Sequence, residues 1–532
     1  MNASLEKPFS MHLSAKNRVW YRRFNADQLI KWFFGSNAIM SVVVLVLITI
    51  FLFKEGSGFL GQNLQNLRVY RLAGLEYVDI IRKQVEGHTS LTRELSAIRL
   101  AQFKLLTKEG KDPGQIAAAL VEFDQFATDF SDTGTDLQGL VSDLTEIASG
   151  IKEKAKIAQD MEQKRTMLEA AGRTEEARQV VIDSSSFLKE IEPLRAAAEA
   201  QKPMSLAMAD KLFTLTQRPP ALASAGLQAR MQKFQRSVTA YLATFPAVSQ
   251  ELKDWNQSAP IPFYKAFTSF ANGTEWITNS FWQDSYGILP LFIGSLIVSF
   301  LALLIAVPFG VCSAIYVNEV ASTREQNIVK PCIEFIAAIP SVVLGFFGIA
   351  VLGESIRQIT QLSWLSWVPS FPISERLNIF TAAALLALMA VPTIFSLSED
   401  ALNNVPRAFK ESSYALGATR LQTIIRVLIP AALSGIISAV LLGFGRVIGE
   451  TMVVLLCAGN RIAIPDFSEG LGFVFQPVHT MTGIIAQEMG EVPRGSIHYQ
   501  ALFMLGIVLF FLTLLINYLA QKVVKKYKIS IG

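Results

Sequence analysis

Long apolar segments alternate with polar ones along the chain, and six of the apolar segments are long enough to cross a bilayer. A spanning helix satisfies its own backbone hydrogen bonds across roughly 30 Å of hydrocarbon, which takes about 20 mostly apolar residues. The third segment contains Glu334, the fifth contains Arg446 and Glu450, and the others contain no Lys, Arg, Asp or Glu. The sequence therefore predicts an all-α membrane protein. The six predicted spans are 33–53, 288–316, 332–352, 377–397, 431–458 and 501–520.

A polar insert, residues 54–285, separates the first predicted span from the second. It has no sustained alternation of apolar and polar positions, so helices are expected. Gly172 followed by Thr174 indicates one helix ending and another beginning, and the Pro219-Pro220 pair predicts a second break. The expected product is an elongated bundle of antiparallel helices. One long apolar seam at steps of three and four contains Leu137, Leu140, Leu144, Ile147, Ile151, Ala158, Met161 and Leu168.

The role of the insert stays open between a helical spacer or docking surface and a ligand-sensing domain. Its one histidine, His88, is expected to be a solvated helix residue. No metal cluster or catalytic constellation is visible in its sequence. The cysteines of the chain, Cys312, Cys332 and Cys457, all lie in apolar stretches, so the insert is expected to be stabilised by packing and not by disulfides.

Composition and charge narrow the class of protein. A hydrophobic content of 51% argues against an ordinary soluble protein. The insert holds 27 Lys and Arg and 29 Asp and Glu, so 56 of its 232 residues are charged, against 36 of the other 300. The net charge of +4 for the chain, and of −2 for the insert, gives no indication of a nucleic-acid partner.

The distribution of Lys and Arg in the short flanking segments predicts the orientation of the chain. If the N-terminus is cytoplasmic, the inner segments hold 16 of these residues and the two short outer loops hold 4. Both termini are then cytoplasmic and the insert is periplasmic. The predicted organisation is a cytoplasmic segment 1–32, a first span 33–53, the insert 54–285 and a membrane domain 286–532, which contains a cytoplasmic loop at 398–430.

That cytoplasmic loop carries a motif defined by spacing. Glu411, followed by Ser412 and Ser413, precedes Gly417 by six residues, and Gly417 precedes Pro430 by thirteen. The pattern resembles the signature loop of binding-protein-dependent ABC import permeases, E-A-A, three residues, G, nine residues, I-x-L-P. Serines replace the two alanines in this chain. The resemblance implies the six-helix fold of the type I importers and a loop that couples a separate ATPase to the spans.

The residue types of this loop also predict how its backbone folds. Glu411 near a helix N-terminus would complement the helix dipole, and Gly417 would end that helix and let the chain turn. A polar connector with incidental caps is the alternative interpretation. The chain has no G-x-x-x-x-G-K-[ST] phosphate-binding loop, so ATP hydrolysis is expected on another polypeptide.

The fifth predicted span contains an ionisable pair, Arg446 and Glu450, followed by Thr451. Ionisable groups are costly in a membrane and usually face a pathway or each other. An arginine fork suits a tetrahedral oxyanion, whereas an ion pair that only fixes helix packing is the alternative. Gly445 and Gly449 form a G-x-x-x-G pattern, which suits either an interface between two permeases or packing within this chain.

The string Gly445-Arg446-x-Ile448-Gly449-Glu450-Thr451-Met452, with Gly459-Asn460 after it, resembles the PstC-type phosphate permeases. Similar segments are 315–319, 339–348 and 498–502. The resemblance covers about 285–528, together with the first span by position, and excludes the insert, which compact members of that family lack. It implies a second, PstA-type permease, a PstB-type ATPase dimer and a periplasmic phosphate-binding protein as partners in the bacterial inner membrane.

The sequence thus predicts a permease subunit for inorganic phosphate import by alternating access, without covalent chemistry, cofactor or metal of its own. Arg446, Glu450 and Thr451 are the candidates for the translocation pathway. A permease for another oxyanion, such as sulfate or molybdate, is one alternative. A membrane sensor or a scaffold for phosphate-responsive signalling is the other.

Overall fold

The computed structural model describes residues 26–170, 172–180, 191–278, 284–365, 368, 371–373 and 375–527. Most of the predicted cytoplasmic segment 1–32 therefore lies outside the described residues. The chain divides into two compact units, one ending at Lys54 and one beginning at Glu55. In the first unit, helix α1 (Ala26–Leu72) begins and carries the predicted first span, whose apolar side chains are largely exposed.

Within the second unit the insert is helical, as expected. Gly74, with φ 80°, lets the chain reverse after α1, and Asp112 with Gln115 forms a capping box at the start of α3. The predicted break at Gly172 is confirmed, because α4 ends at Ala170 and α5 begins at Thr174. The helices of the insert after α1 are α2 (Leu75–Lys108), α3 (Pro113–Asp132), α4 (Thr135–Ala170), α5 (Thr174–Gln179), α6 (Glu192–Ala198), α7 (Gln201–Thr216), α8 (Ala225–Leu242), α9 (Phe245–Asp254) and α10 (Phe263–Asn272).

Large apolar side chains fill the core of the insert. Phe130 and Phe234 are fully buried, with ring centroids 5.2 Å apart. In the predicted seam of α4, Leu137, Leu140, Leu144 and Ile151 are buried and Ile147 is half-buried against the core, whereas Met161 further along the same helix is 37% exposed. The seam therefore contributes to the core only in the first half of α4.

The expectation for His88 is wrong. Its side chain is only 5% exposed and stacks on the ring of Phe130, with centroids 5.1 Å apart. Its Nε2 lies 3.0 Å from the carbonyl oxygen of Phe130 and 3.1 Å from the hydroxyl of Thr133. A polar residue on a predicted helix can face either water or a neighbouring helix, and only the packing of α2 against α3 decides between them.

Among the described residues, six helices are long and apolar enough to cross a membrane. This confirms the all-α, six-helix prediction; a two-residue strand pair, β1 (Trp276–Ile277) with β2 (Ser285–Tyr286), is the exception. The helices after it are α11 (Leu289–Ile315), α12 (Thr323–Ala338), α13 (Ser341–Phe347), α14 (Gly353–Thr360), α15 (Ile379–Asn403), α16 (Arg407–Ala415), α17 (Arg420–Thr423), α18 (Ile429–Ile448), α19 (Met452–Cys457), α20 (Met481–Glu488) and α21 (Ile497–Tyr527).

Two of the predicted spans are not continuous helices. The third, predicted at 332–352, breaks between α12 and α13, and the membrane candidate is instead 341–360. Pro340 has no backbone N–H and forces Ile339 into an extended conformation, with ψ 125°. The fifth, predicted at 431–458, breaks between α18 and α19. The apolar character of the two segments as a whole does not reveal either break.

Small residues dominate the contact between α11 and α15. Ala302, Ala306 and Ala383 are fully buried there. A Cβ placed on Gly310 would lie 2.8 Å from Cγ2 of Ile394, so the two helices approach each other closely at this glycine. Close backbone approach through small residues is how helices associate in lipid, where burying apolar area brings little advantage.

An aromatic cluster joins the insert to the membrane helices within the second unit. The ring of Phe59 in α1 lies 5.1 Å from that of Phe270 and 5.9 Å from that of Tyr286. Trp276 donates a hydrogen bond of 3.2 Å to Glu488, which also lies 2.7 Å from Nε2 of His498. The base of the insert is thus packed directly onto α20 and α21.

Candidate coupling elbow and translocation segment

The predicted coupling motif forms a helix–turn–helix, here named the elbow (residues 407–423). Its first arm, α16, follows Pro406 and ends where Gly417 adopts φ +79°, as predicted. The amide of Gly417 donates to the carbonyl of Tyr414 at 2.9 Å, and the amide of Ala418 donates to that of Ser413 at 3.2 Å. These two bonds satisfy carbonyls at the end of α16 and require a left-handed residue, which glycine adopts without steric cost.

A buried hydroxyl pair joins the two arms of the elbow. Ser413 and Thr423 lie 2.9 Å apart, oxygen to oxygen, and are 8% and 0% exposed. Thr419 caps the second arm, α17, by accepting a hydrogen bond from the amide of Gln422. Pro430 is the second residue of α18, which follows directly on a π-helical turn at Ile424–Leu428.

The position of Glu411 corrects one expectation. Glu411 is the fifth residue of α16, beyond its first turn, so it does not complement the N-terminal dipole. Glu411 and Ser412 are both exposed, and so are Leu416 at 88%, Leu421 at 65% and Ile425 at 55%. The elbow therefore presents acidic and apolar side chains together on a surface that nothing in the described chain covers.

A residue that sequence reasoning missed fastens the elbow to a span. Glu319, which follows α11 in a short π-helical turn, is only 6% exposed. Nζ of Lys410 lies 2.5 Å from its carboxylate, and the guanidinium of Arg420 donates to its backbone carbonyl. Both arms of the elbow therefore hold the same end of α11. The signal in the sequence is a carboxylate directly after a long apolar run, but its partners lie 91 and 101 residues away.

Arg446 lies in the last turn of α18 with its side chain exposed. Its Nη1 donates a 2.8 Å hydrogen bond to the hydroxyl of Thr393 in α15. Within the described chain no ion pair joins Arg446 to Glu450. The alternative of a packing ion pair therefore has no geometric support, because Glu450 lies beyond the end of α18 and shares no helical face with Arg446.

The break in the fifth span, residues 449–451, is held by specific hydrogen bonds. The carboxylate of Glu450 accepts from the amide of Met452 at 3.2 Å, and its carbonyl accepts from the hydroxyl of Thr482 at 2.9 Å. The hydroxyl of Thr451 lies 3.4 Å from the carbonyl of Gly449. Thr482 belongs to α20, which thus supports the break from a separate part of the chain.

The two glycines of the G-x-x-x-G pattern meet little of this chain. Among the described residues, a Cβ on Gly445 would meet nothing within 4 Å, and one on Gly449 would meet only backbone atoms of α18 at 3.5 Å and beyond. By contrast, a Cβ on Gly435 would overlap Cβ of Ala401, and one on Gly443 would lie 2.8 Å from Ile394. Helix packing within the chain therefore uses Gly435 and Gly443, and leaves Gly445 open.

Comparisons with known proteins match this architecture. The family model described as "Binding-protein-dependent transport system inner membrane component" matches residues 306–529. The probable ABC transporter permease protein YqgH of Bacillus subtilis is 36% identical over 257 residues, which are 47% of this chain and 78% of that protein. The phosphate transport system permease protein PstC of Pasteurella multocida is 33% identical over 47% of this chain and 78% of that protein.

A third relative, PstC of Mesorhizobium japonicum, is 32% identical over 48% of this chain and 80% of that protein. Among solved structures, one of the MetNI methionine ABC transporter in inward-facing conformations matches 46% of this chain and 95% of its own, at 19% identity and a TM-score of 0.33. Permeases of this family work with an ATPase and a substrate-binding protein. With six membrane helices and relatives above 30% identity across more than two thirds of their length, the chain belongs to the PstC-type permeases of the binding-protein-dependent ABC importers.

Proposed function

We propose that this chain is the permease subunit of an ATP-driven importer of inorganic phosphate in the bacterial inner membrane. Its partners would be a PstA-type permease, a PstB-type ATPase dimer and a periplasmic phosphate-binding protein. Relatives that are named phosphate transport permeases support the substrate. The excess of Lys and Arg in the inner segments, 16 against 4, supports cytoplasmic termini and a periplasmic insert.

The observation that best supports an oxyanion substrate is the environment of the Arg446 side chain. Its guanidinium is exposed, anchored at one nitrogen by Thr393, and unpaired with Glu450 in the described chain. An anchored guanidinium keeps donors for a tetrahedral oxyanion while its own position is fixed. The Glu450 carboxylate and the Thr451 hydroxyl lie at the adjoining break. We assign the hydroxyl to hydrogen bonding with the anion and the carboxylate to limiting how tightly the anion is held.

The elbow is assigned to coupling. Glu411, Ser412 and the exposed leucines would contact the ATPase, while Ser413, Gly417 and Pro430 maintain the shape of the elbow and its junction with α18. Movement of the elbow would reach α11 through the contacts of Lys410 and Arg420 with Glu319. Gly445 and Gly449, which are open in this chain, would lie against the second permease.

Replacing Arg446 by Gln tests the substrate assignment. In proteoliposomes that contain the assembled transporter, we expect Arg446→Gln to abolish phosphate uptake while the protein still inserts and assembles. Arg461→Gln, which changes an exposed arginine beyond α19, is the matched control and should retain uptake. Normal uptake by Arg446→Gln would remove this residue from the pathway.

Competition separates the alternatives. Excess sulfate or molybdate that suppresses uptake as strongly as unlabelled phosphate would identify a broader oxyanion permease. An assembled transporter that hydrolyses ATP and carries none of these anions would favour the sensor or scaffold.

The role of the insert can be tested by a deletion that the structure defines. The side chain of Gln257 donates a 2.7 Å hydrogen bond to the carbonyl of Leu72, so the two ends of the bundle meet. Removing residues 75–254 with a short linker keeps the aromatic cluster that contains Phe59 and Phe270. Retained uptake would make the insert a spacer or accessory surface, and loss of uptake in a correctly inserted protein would implicate it in delivery or sensing.

A further inference from the structure

Helix α10, at the base of the insert, carries an aromatic surface that the described chain leaves uncovered. Phe263, Tyr264 and Phe267 are 59%, 64% and 51% exposed. These are three large side chains in a helix of ten residues. An exposed cluster of aromatic side chains on one short helix marks a contact surface, whereas single exposed apolar residues are ordinary.

The side chains of α10 fall into three sectors around its axis. Successive residues are rotated by about 100°, so Ala266 and Phe270 share one side, and both are buried against α1 and the aromatic cluster. Phe263 and Phe267 share the neighbouring side, with Tyr264 at its edge. Lys265 and Thr268 occupy the remaining, exposed side. A helix with protein on one side, uncovered aromatic rings on the second and polar groups on the third fits a boundary between apolar and aqueous surroundings.

Contacts along α1 place α10 close to the edge of the hydrocarbon. The apolar run of α21, residues 501–520, is about 30 Å long, which matches the hydrocarbon thickness. A Cβ on Gly58 would lie 2.8 Å from the side chain of Gln500, so Gly58 is level with the beginning of that run. Asn63, five residues further along α1, donates a 2.9 Å hydrogen bond to the carbonyl of Ala266. Five residues of helix rise about 7 Å.

Helix α10 therefore lies about 7 Å beyond the edge of the hydrocarbon. That distance falls within the headgroup layer, which is roughly 5 to 8 Å thick on each side of the hydrocarbon. We propose that α10 is an interfacial anchor, with Phe263, Tyr264 and Phe267 in the headgroup layer of the bilayer that surrounds the spans. Tyrosine and other aromatic rings are favoured at this depth. Helix α11 also carries exposed large apolar side chains, among them Phe300 and Leu304.

The anchor has a structural consequence for α11. The carbonyl of Phe270 accepts from the amide of Ile288 at 2.8 Å, and the carbonyl of Gly273 accepts from the amide of Leu289 at 3.2 Å. The end of α10 therefore satisfies backbone amides at the start of α11 that have no partner within that helix. An anchor in the headgroups would hold the base of the insert and the start of α11 at one depth. This inference rests on the membrane location of the spans and not on the transported solute.

Spin labels on single cysteines test the anchor in the full chain. The exposed Cys312 and Cys332 are replaced by Ser, and the buried Cys457 is retained. Labels are introduced by Phe267→Cys, by Thr268→Cys on the polar side of α10, and by Leu206→Cys in α7. Leu206 is a matched control because it is also an exposed apolar residue, at 62% against 51% for Phe267, on another helix of the insert. The protein is placed in nanodiscs of phosphatidylethanolamine and phosphatidylglycerol.

We expect the label at 267 to collide severalfold more often with oxygen, and severalfold less often with a water-soluble nickel chelate, than the label at 206. The label at 268 should respond as the one at 206 does. Equal nickel accessibility at 267 and 206 would overturn the anchor, since the aromatic surface would then face water. Shielding of 267 from both reagents would also overturn it, because a protein partner would then cover the surface.

Discussion

The insert and the membrane helices are both built from helices, yet they bury different side chains. The insert encloses large ones, including Phe123, Phe130 and Phe234, whereas the contact between α11 and α15 is made by Ala302, Ala306 and Ala383. In water, removal of large apolar area stabilises a bundle. In lipid that advantage disappears, and close backbone approach takes its place. The insert should therefore be sensitive to lost volume and the spans to added volume.

The largest effect is expected from a cavity in the insert. Phe234→Ala removes a fully buried ring that packs on Phe130, and a change of this kind costs about 3 to 5 kcal/mol. The thermal unfolding midpoint of the purified chain in detergent should fall clearly. Phe213→Ala, at a position 58% exposed, should leave it nearly unchanged. Equal midpoints for the two variants would contradict the proposed origin of stability.

Added volume between the spans should have the next largest effect. Gly310→Val places atoms against Ile394, because even a single added Cβ would lie 2.8 Å from that side chain. Overpacking of this kind costs about 1 to 3 kcal/mol. We expect a lower unfolding midpoint in detergent.

Gly445→Val is the matched control, because a Cβ at this position would meet nothing within 4 Å in the part of the chain that the structure describes. The isolated chain should keep its midpoint. If Gly445 lies against the second permease, this variant should co-purify with less of that subunit. Unchanged recovery of the subunit would place Gly445 outside the interface.

The two regions also differ in their buried polar contacts. In the membrane domain, Glu319 and Lys410 form an ion pair at the end of α11. Glu319→Gln removes the charge that Lys410 contacts, and we expect a loss of about 1 to 2 kcal/mol because the lysine side chain is 37% exposed and can turn to solvent. Reconstituted transporter should hydrolyse ATP while its phosphate uptake falls severalfold. Lys410→Met should also reduce uptake, and it should destabilise the chain more, because it leaves the buried carboxylate of Glu319 without its charged partner. Loss of ATP hydrolysis in parallel with uptake would indicate failed assembly and not lost coupling.

The smallest effect is expected from His88, one of several buried polar side chains of the insert. Burial lowers the pKa of His88 below its ordinary value, against a smaller opposite effect of its hydrogen bond to Phe130. The unfolded chain therefore binds a proton more readily than the folded one. The His88 contribution to stability is complete above the ordinary histidine pKa, and it decreases as the pH falls from there toward the lowered value.

Unfolding midpoints at pH 7.5 and 5.5 measure this contribution. His88→Gln, which keeps a donor for the Phe130 carbonyl, should reduce the pH dependence without removing it. His479 contributes in the same direction, since burial also lowers its pKa. An unaltered pH dependence in His88→Gln would show that His88 does not titrate on unfolding.

The sequence alone determined the features that depend on local chemistry. Length and apolarity identified six spans, because a helix in lipid must satisfy its own backbone. Gly417 and Gly172 were recognised as helix ends because glycine adopts positive φ at no steric cost. The spacing of Glu411, Gly417 and Pro430 was sufficient for the resemblance to the signature loop of the ABC import permeases, because these residues lie within one short segment of chain.

The tertiary structure decided everything that depends on distant partners. The break after α18 is supported by Thr482 from α20, and Glu319 meets Lys410 and Arg420 some 90 to 100 residues away along the chain. The burial of His88 and the three-sided surroundings of α10 arise in the same way. A hydropathy profile averages over residues that are neighbours in sequence. A contact between segments that are far apart in sequence therefore leaves no signal in the profile.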